Sequence, residues 1–161
     1  MELTYIYDCR DKEIEKKCQK IFDENNQGYI FNREDIVDHS NLILAVAVDG
    51  DEPLGYQLIY FGGDFVELDG AVVDEKDIIY YPDDSVYIWD FCTAKNHENK
   101  GVQSFLVKKL IERFSDRDIY TITSLDNERS IRIQETFKFE RIKVFDTKCG
   151  KCGIFKKSQK N

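Results

Sequence analysis

The chain has 161 residues, of which 42% are hydrophobic, 34% charged and 13% aromatic. This length fits one domain with its own core, and the aromatic content argues against a disordered chain. The formal net charge is −8, so the chain has no excess of basic surface for nucleic-acid phosphates and no polybasic segment for anionic membranes. An acidic balance favours cationic small molecules or basic peptides as ligands.

The cellular compartment is predicted from what the sequence does not contain. No apolar run approaches the ~20 residues of a membrane span, and Met1–Arg10 does not have the pattern of a signal peptide. We therefore expect a cytoplasmic protein. The cysteine count, five, is odd, which indicates reduced thiols in such a chain.

Two of the cysteines form the motif Cys149-Gly-Lys-Cys152. A zinc site needs two further ligands, and neither histidine, His39 or His97, has a partner in the sequence. We expect no metal and interpret the motif as a hairpin turn that carries thiols. A redox or metal role is the alternative.

The first 61 residues predict a strand, two helices and a hairpin. Alternating hydrophobicity predicts a strand over Leu3–Tyr7, and an amphipathic pattern predicts a helix over Asp11–Asp23. A short second helix is predicted over Asn32–Asp38. The apolar run Leu42–Val48 predicts a buried strand, and the turn after it pairs this strand with Leu54–Phe61.

Residues 64–84 are acidic and weakly patterned. We interpret them as an irregular insert or an extra hairpin; they form either a solvated loop or an acidic lip that attracts an amine. The elements after this insert are predicted as a strand Ser85–Thr93, a helix Val102–Phe114, a strand Asp118–Ser124, a helix Glu128–Phe137, and a hairpin of Arg141–Phe145 with Gly153–Lys156.

This order predicts an α/β (α+β) fold with a mixed central sheet flanked by helices. One domain is expected over residues 1–157, followed by a frayed tail over 158–161.

Two loops carry motifs. The first, Glu98-Asn-Lys-Gly101-Val-Gln103, joins a predicted strand to a predicted helix, and glycine there lets backbone N–H groups approach a phosphate. The second motif begins at Asn127, a good helix cap, and ends at Phe139.

Together with the element order, these motifs resemble the GNAT superfamily of N-acetyltransferases over roughly residues 40–146. The family signatures are Arg/Gln-x-x-Gly-x-Gly/Ala and Asn-x-x-Ala-x-x-x-Tyr-x-x-x-Gly-Phe. The positions that match are Gly101, Leu106, Asn127, Ser130 and Phe139. The positions that depart are Glu98, Gln103, Gln134 and Lys138.

The resemblance implies acetyl-CoA as cosubstrate. Its pyrophosphate is expected at the loop and helix start formed by Lys100, Gly101, Val102, Gln103 and Ser104. Asn127 and Ser130 are expected beside the pantetheine, and backbone groups of Phe91, Cys92 and Thr93 at the cofactor carbonyl and oxyanion. For Gln103 two alternatives are open: its side chain donates a hydrogen bond, or its bulk narrows the loop.

Acetyl transfer to an amine needs a group that removes a proton from the amine. Our candidates for this base are Asp90 and Glu67. Asp90 lies in an apolar run, where burial would raise its pKa; the alternative is a carboxylate that faces outward. Gln134, which replaces the family tyrosine, cannot act as an acid, so Tyr56, Tyr87 and Tyr120 remain as candidate acids.

Three other features have less specific interpretations. Cys92 is predicted to be a buried strand cysteine rather than a nucleophile, because it has no histidine beside it. His97 is expected in an exposed turn, with a contact to a cofactor phosphate as the alternative. The aromatic cluster of Tyr80, Tyr81, Tyr87 and Trp89 is predicted to be core, with an acceptor pocket as the alternative.

The function predicted first is an N-acetyltransferase that moves an acetyl group from acetyl-CoA to a primary amine of a small molecule or a peptide. The alternative is a catalytically degenerate module of the same fold that senses CoA or binds a protein. A structural protein that dimerises is the third candidate. The sequence leaves homodimer formation open, and we expect no nucleic-acid or membrane partner.

Overall fold

The computed structural model describes residues 1–6, 12–25, 42–61, 82–148 and 150–159. The short helix predicted over residues 32–38 lies outside these ranges, as does most of the acidic insert. So do the candidate base Glu67, the neighbours Tyr80 and Tyr81, and the thiol of Cys149.

The described residues contain seven strands and three α-helices. Their bounds are β1 Glu2–Ile6, α1 Lys12–Asn25, β2 Leu42–Asp49, β3 Glu52–Phe61, β4 Val86–Thr93, α2 Val102–Arg113, β5 Ile119–Ser124, α3 Glu128–Thr136, β6 Glu140–Thr147 and β7 Gly150–Lys157. The order is the predicted one.

The final hairpin corrects one prediction. Strand β7 begins at Gly150, so Cys152 lies inside a strand rather than in a turn. The turn is tighter than expected because Thr147 and Gly150 already form a pair of the ladder, and the Thr147 hydroxyl donates to the Gly150 carbonyl at 2.7 Å. Gly150 has a φ of 125°, which glycine adopts readily.

The described part of the chain groups into two compact units. The first unit comprises Met1–Tyr60 and Trp89–Glu112. Its strands β1, β2 and β3 are antiparallel neighbours. Ile43–Val48 of β2 is fully buried, as its apolar run predicted, and helix α1 buries Cys18 and Ile21.

The second unit comprises Phe61–Ile88 and Arg113–Asn161. The start of β4 pairs in parallel with β5 over Val86–Ile88, and β7 pairs antiparallel with both β5 and β6. The strand order is β1-β2-β3-β4-β5-β7-β6. The sheet is therefore mixed, and the predicted fold class is confirmed. The prediction of one domain over residues 1–157 stays a prediction.

None of the helices in the described ranges is long and apolar enough to cross a membrane.

Candidate active site

A carboxylate and a tyrosine meet in the first unit, where β3 lies beside β4. Asp90 is half-buried, and its Oδ1 accepts a hydrogen bond from the backbone N–H of Phe91 at 2.8 Å. Its Oδ2 lies 3.4 Å from the hydroxyl of Tyr56, which is fully buried. Of the two alternatives for Asp90, the partly buried one is correct. Asp90 remains partly exposed to solvent.

Burial changes the proton affinity of both groups. It raises the pKa of Asp90, while the hydrogen bonds from Phe91 and Tyr56 favour the charged carboxylate and oppose this rise. Burial and the neighbouring Asp90 charge raise the pKa of Tyr56 far above its ordinary value. The Tyr56 hydroxyl is therefore protonated in neutral solution and donates a hydrogen bond to Asp90.

The loop before α2 has open space next to Gly101. Gly101 has a φ of 80°, and a Cβ built on it meets no atom of the described residues within 4 Å. The Gly101 carbonyl accepts from the Phe105 N–H at 2.9 Å, which starts the helix. The N–H groups of Val102, Gln103 and Ser104 belong to the first turn and have no acceptor within the helix. The backbone here suits an anionic group such as a pyrophosphate.

Of the two alternatives for Gln103, the structure has the side-chain hydrogen bond, and the side chain does not narrow the loop. Its side chain turns toward the strands, where Nε2 donates to the Cys92 carbonyl at 2.7 Å and to the Thr93 hydroxyl at 3.1 Å. Its Oε1 accepts from Gln57 at 3.2 Å. The bulk of Gln103 is accommodated between β3 and β4, so the space above Gly101 remains open.

The second motif lies in the second unit. Asn127 caps α3, because its side-chain oxygen accepts from the Ser130 N–H at 3.1 Å, and this leaves the amide donors of Asn127 for other partners. Ser130 is buried. Lys138, at the family glycine, adopts a left-handed φ of 58°. Asn127 also helps to line a surface depression together with Ser124, Asp126, Glu128 and Arg129.

The sequence profile of the Acetyltransferase (GNAT) family matches residues 7–139. This chain belongs to the GNAT acetyltransferase family. No curated protein matches it by sequence. The resemblance on which the fold prediction rested is therefore confirmed.

Solved GNAT structures share the fold along almost the whole chain. Naa50 of Arabidopsis thaliana in complex with the bisubstrate analogue CoA-Ac-MVNAL superposes with a TM-score of 0.67 at 17% identity, covering 98% of this chain and 99% of the other. The ribosomal-protein-S18-alanine N-acetyltransferase of Escherichia coli gives 0.68 at 10%, with coverages of 99% and 96%. NAA60 of Arabidopsis thaliana in complex with acetyl-CoA gives 0.64 at 12%, with coverages of 97% and 99%. At these identities the likeness shows the fold alone.

The structure also shows the surroundings of His97, Cys92 and two members of the aromatic cluster. His97 is not simply exposed: its Nε2 lies 3.6 Å from a carboxylate oxygen of Glu52, and its side chain is 22% exposed. Cys92 is buried, with its Sγ 3.9 Å from the Ile21 carbonyl, as predicted for a structural thiol. In the aromatic cluster, Tyr87 is core but Trp89 is 40% exposed.

Among the candidate acids of this GNAT chain, Tyr87 and Tyr120 are both buried, and the Lys156 ammonium lies 5.5 Å from the ring centre of Tyr120. Gln134 is buried as well, and its Oε1 has no hydrogen-bond partner in the described part of the chain.

Sequence reasoning missed two residues of the site, Gly55 and Gln57. Both interrupt the apolar run of β3, and a polar residue or a glycine inside such a run is the pattern that points to a buried partner or a close backbone approach.

Proposed function

We propose that this chain transfers the acetyl group of acetyl-CoA to a primary amine. The observation that carries the proposal is the half-buried Asp90, whose pKa is raised by burial and which accepts hydrogen bonds from Tyr56 and Phe91. A carboxylate with a raised pKa is a better proton acceptor than an ordinary surface carboxylate. Asp90 lies in β4, three residues before the strand ends at Thr93.

Acetyl-CoA supplies an acetyl group already activated as a thioester. The backbone donors of Val102, Gln103 and Ser104, with the open loop at Gly101, would hold its pyrophosphate. Asn127, whose amide donors are not used by the helix cap, and Ser130 would contact the pantetheine. Lys100 would add a positive charge near the phosphates.

The residues of this chain divide the chemistry among a base, a donor and the backbone. Asp90 would take one proton from the ammonium of the acceptor, and the neutral amine would then attack the acetyl carbon to form the C–N bond. The C–S bond would break, and the departing CoA thiolate would take the second proton of the nitrogen, directly or through water. Tyr56 keeps the carboxylate of Asp90 oriented by donating to its Oδ2. Backbone N–H groups of Phe91, Cys92 or Thr93 would stabilise negative charge on the acetyl oxygen. Glu67 stays a second candidate base.

For the acceptor we propose the amine of a peptide or protein. Naa50 binds a bisubstrate analogue that joins CoA to the peptide MVNAL, and the ribosomal-protein-S18-alanine N-acetyltransferase is named for a protein substrate. The net charge of −8 supports a cationic substrate through long-range attraction. A small amine is the alternative that a substrate screen distinguishes.

A second candidate function is binding of a CoA species without turnover. Gln134 favours it, because this buried side chain stands where many GNAT members have a tyrosine, and its amide N–H groups are not acidic enough to protonate a departing thiolate. Turnover by the purified protein excludes this candidate.

Calorimetric titration with acetyl-CoA and with CoA tests the cosubstrate site. We expect a Kd of roughly micromolar size for the wild type and loss of binding in Gly101→Trp, whose indole would fill the open loop. Gly50→Trp is the matched control, because Gly50 also has a positive φ, 58°, and open space around its Cβ, but lies in the β2–β3 turn. Absence of binding heat from folded wild-type protein would contradict the proposal.

A further inference from the structure

Gln103 occupies a position where the GNAT signature has a small residue, yet it is held by four contacts. Its Nε2 lies 2.7 Å from the Cys92 carbonyl, 3.1 Å from the Thr93 hydroxyl and 3.4 Å from the Tyr56 carbonyl. Its Oε1 accepts from Gln57 Nε2 at 3.2 Å. The side chain of a residue in α2 thereby bridges β3 and β4.

These contacts join two strands through one side chain. A carbonyl of β3, that of Tyr56, and one of β4, that of Cys92, face the same side-chain amide. The carboxamide of Gln103 therefore adds side-chain donors to the strands β3 and β4, which are neighbours in the sheet.

The orientation of the Gln103 carboxamide is fixed by its partners. If its oxygen and nitrogen were exchanged, the oxygen would face the carbonyls of Cys92 and Tyr56, which are acceptors only. Gln57, which is 1% exposed, donates to Gln103 Oε1 and so favours the same orientation.

Because Gly55 has no side chain, the Cys92 carbonyl can lie close to the backbone of β3. A Cβ on Gly55 would lie 2.7 Å from the Cys92 carbonyl oxygen and 2.9 Å from Cγ1 of Val102, both closer than real Cβ atoms approach. The Cys92 carbonyl is therefore confined between the backbone of β3 and the amide of Gln103.

We propose that Gln103 is a positioning residue that sets the conformation of the end of β4. By fixing the Cys92 carbonyl toward β3, it directs the backbone groups of the alternate residues, Phe91 and Thr93, to the opposite edge of the strand. The further consequence, that these groups meet the pantetheine arm of acetyl-CoA, rests on the proposed function.

Hydrogen exchange and acetyl-CoA binding of two variants test this role. Gln103→Glu keeps the shape but replaces the donating nitrogen by an oxygen, and Gln103→Ala removes the amide altogether. We expect amide exchange of residues 91–94 to accelerate at least about tenfold in both, the equivalent of one lost hydrogen bond. The Ala94 N–H, which donates to the Leu54 carbonyl, is the most direct probe. The acetyl-CoA Kd should rise by about the same factor.

The controls are Gln19→Glu and Gln19→Ala, which make the same changes on helix α1, where Gln19 bonds to Asp23 at the surface. A purely structural role would accelerate exchange evenly through the first unit, whereas a positioning role accelerates it at the end of β4. Exchange at residues 91–94 that stays at the wild-type rate in both Gln103 variants would overturn the proposal. If the wild type binds no acetyl-CoA, the proposed function fails, and the exchange result still decides the role of Gln103.

Discussion

Two glutamines depart from the GNAT signatures, one in each unit, and their side chains differ in their hydrogen-bond partners. Gln103 replaces a small residue and makes four contacts with β3 and β4. Gln134 replaces a tyrosine in α3, is 3% exposed, and has an Oε1 without a partner in the described ranges. The carboxamide of Gln103 has partners on both strands, whereas the Oε1 of Gln134 has none among the described residues.

This difference teaches that a departure from a motif has to be judged by its partners. A glutamine in a phosphate loop suggests a blocked site when only its volume is considered. With Gln57 and Gly55 beside it, the same residue leaves the loop open. A buried acceptor without a donor costs about 1–3 kcal/mol, so we expect the Gln134 side chain to lower the free energy of unfolding.

The largest effect is expected from Asp90→Asn. This change removes the proposed base but keeps a side-chain oxygen that can accept the hydrogen bond from the Phe91 N–H. Acetyl transfer should fall about 10²–10⁴-fold, the usual contribution of a positioned base. Steady-state rates against the control Asp146→Asn, an exposed residue of β6, measure it. Activity within twofold of wild type would rule out Asp90 as the base.

The same variant has a predicted effect on stability. The pKa of Asp90 is higher in the folded state than the ordinary value of 3.8. Its stabilising contribution is therefore present at low pH and is lost as pH rises from that value through the folded pKa. At neutral pH Asp90→Asn should be at least as stable as the wild type, as chemical denaturation can measure.

A smaller effect is expected from Gly55→Ala, which would break the packing around Gln103. The added methyl should displace the Cys92 carbonyl or Val102 and lower the free energy of unfolding by about 1–3 kcal/mol. Gly101→Ala is the comparison, because its Cβ has open space and only its φ of 80° is unfavourable, at about 1 kcal/mol. Equal losses in the two variants would contradict the close approach at Gly55.

The two glutamines should respond with opposite sign to the same substitution. Gln134→Met removes an acceptor without a partner, so stability should stay the same or rise by up to about 1 kcal/mol. Gln103→Met leaves the carbonyl of Cys92 without its donor and should lower stability by about 1 kcal/mol or more. Urea unfolding of both variants measures the sign. A loss of similar size at both positions would remove the contrast between the units.

The smallest expected effect is a shift of the pH–rate profile in Tyr56→Phe. The Tyr56 hydrogen bond favours the charged carboxylate, so its removal raises the pKa of Asp90 further. Because the base works when deprotonated, the rate rises with pH through this pKa, and the acidic limb should move to higher pH. Tyr87→Phe, another buried tyrosine, is the control. An acidic limb that stays in place would show that Tyr56 does not act on Asp90.

The fold was predictable from local patterns, whereas the site was only partly so. The apolar run of β2 predicted a buried strand, and the amphipathic pattern of α2 predicted a helix, close to where the structure has them. The direction of the Gln103 side chain was not predictable, because it depends on Gln57, 46 residues away in the sequence. The pairing of Asp90 with Tyr56 spans 34 residues, and no local period reports such a contact.

Turnover is the most direct test of the central claim. Wild type and Asp90→Asn would be incubated with acetyl-CoA and a mixture of short peptides with free N-termini and small amines, and acetylated products quantified by mass spectrometry. The account predicts many acetylated molecules per molecule of wild-type protein, and about 10²–10⁴-fold fewer per unit time with the variant. A wild-type protein that binds acetyl-CoA but acetylates none of these amines, or a variant equally active, would contradict it.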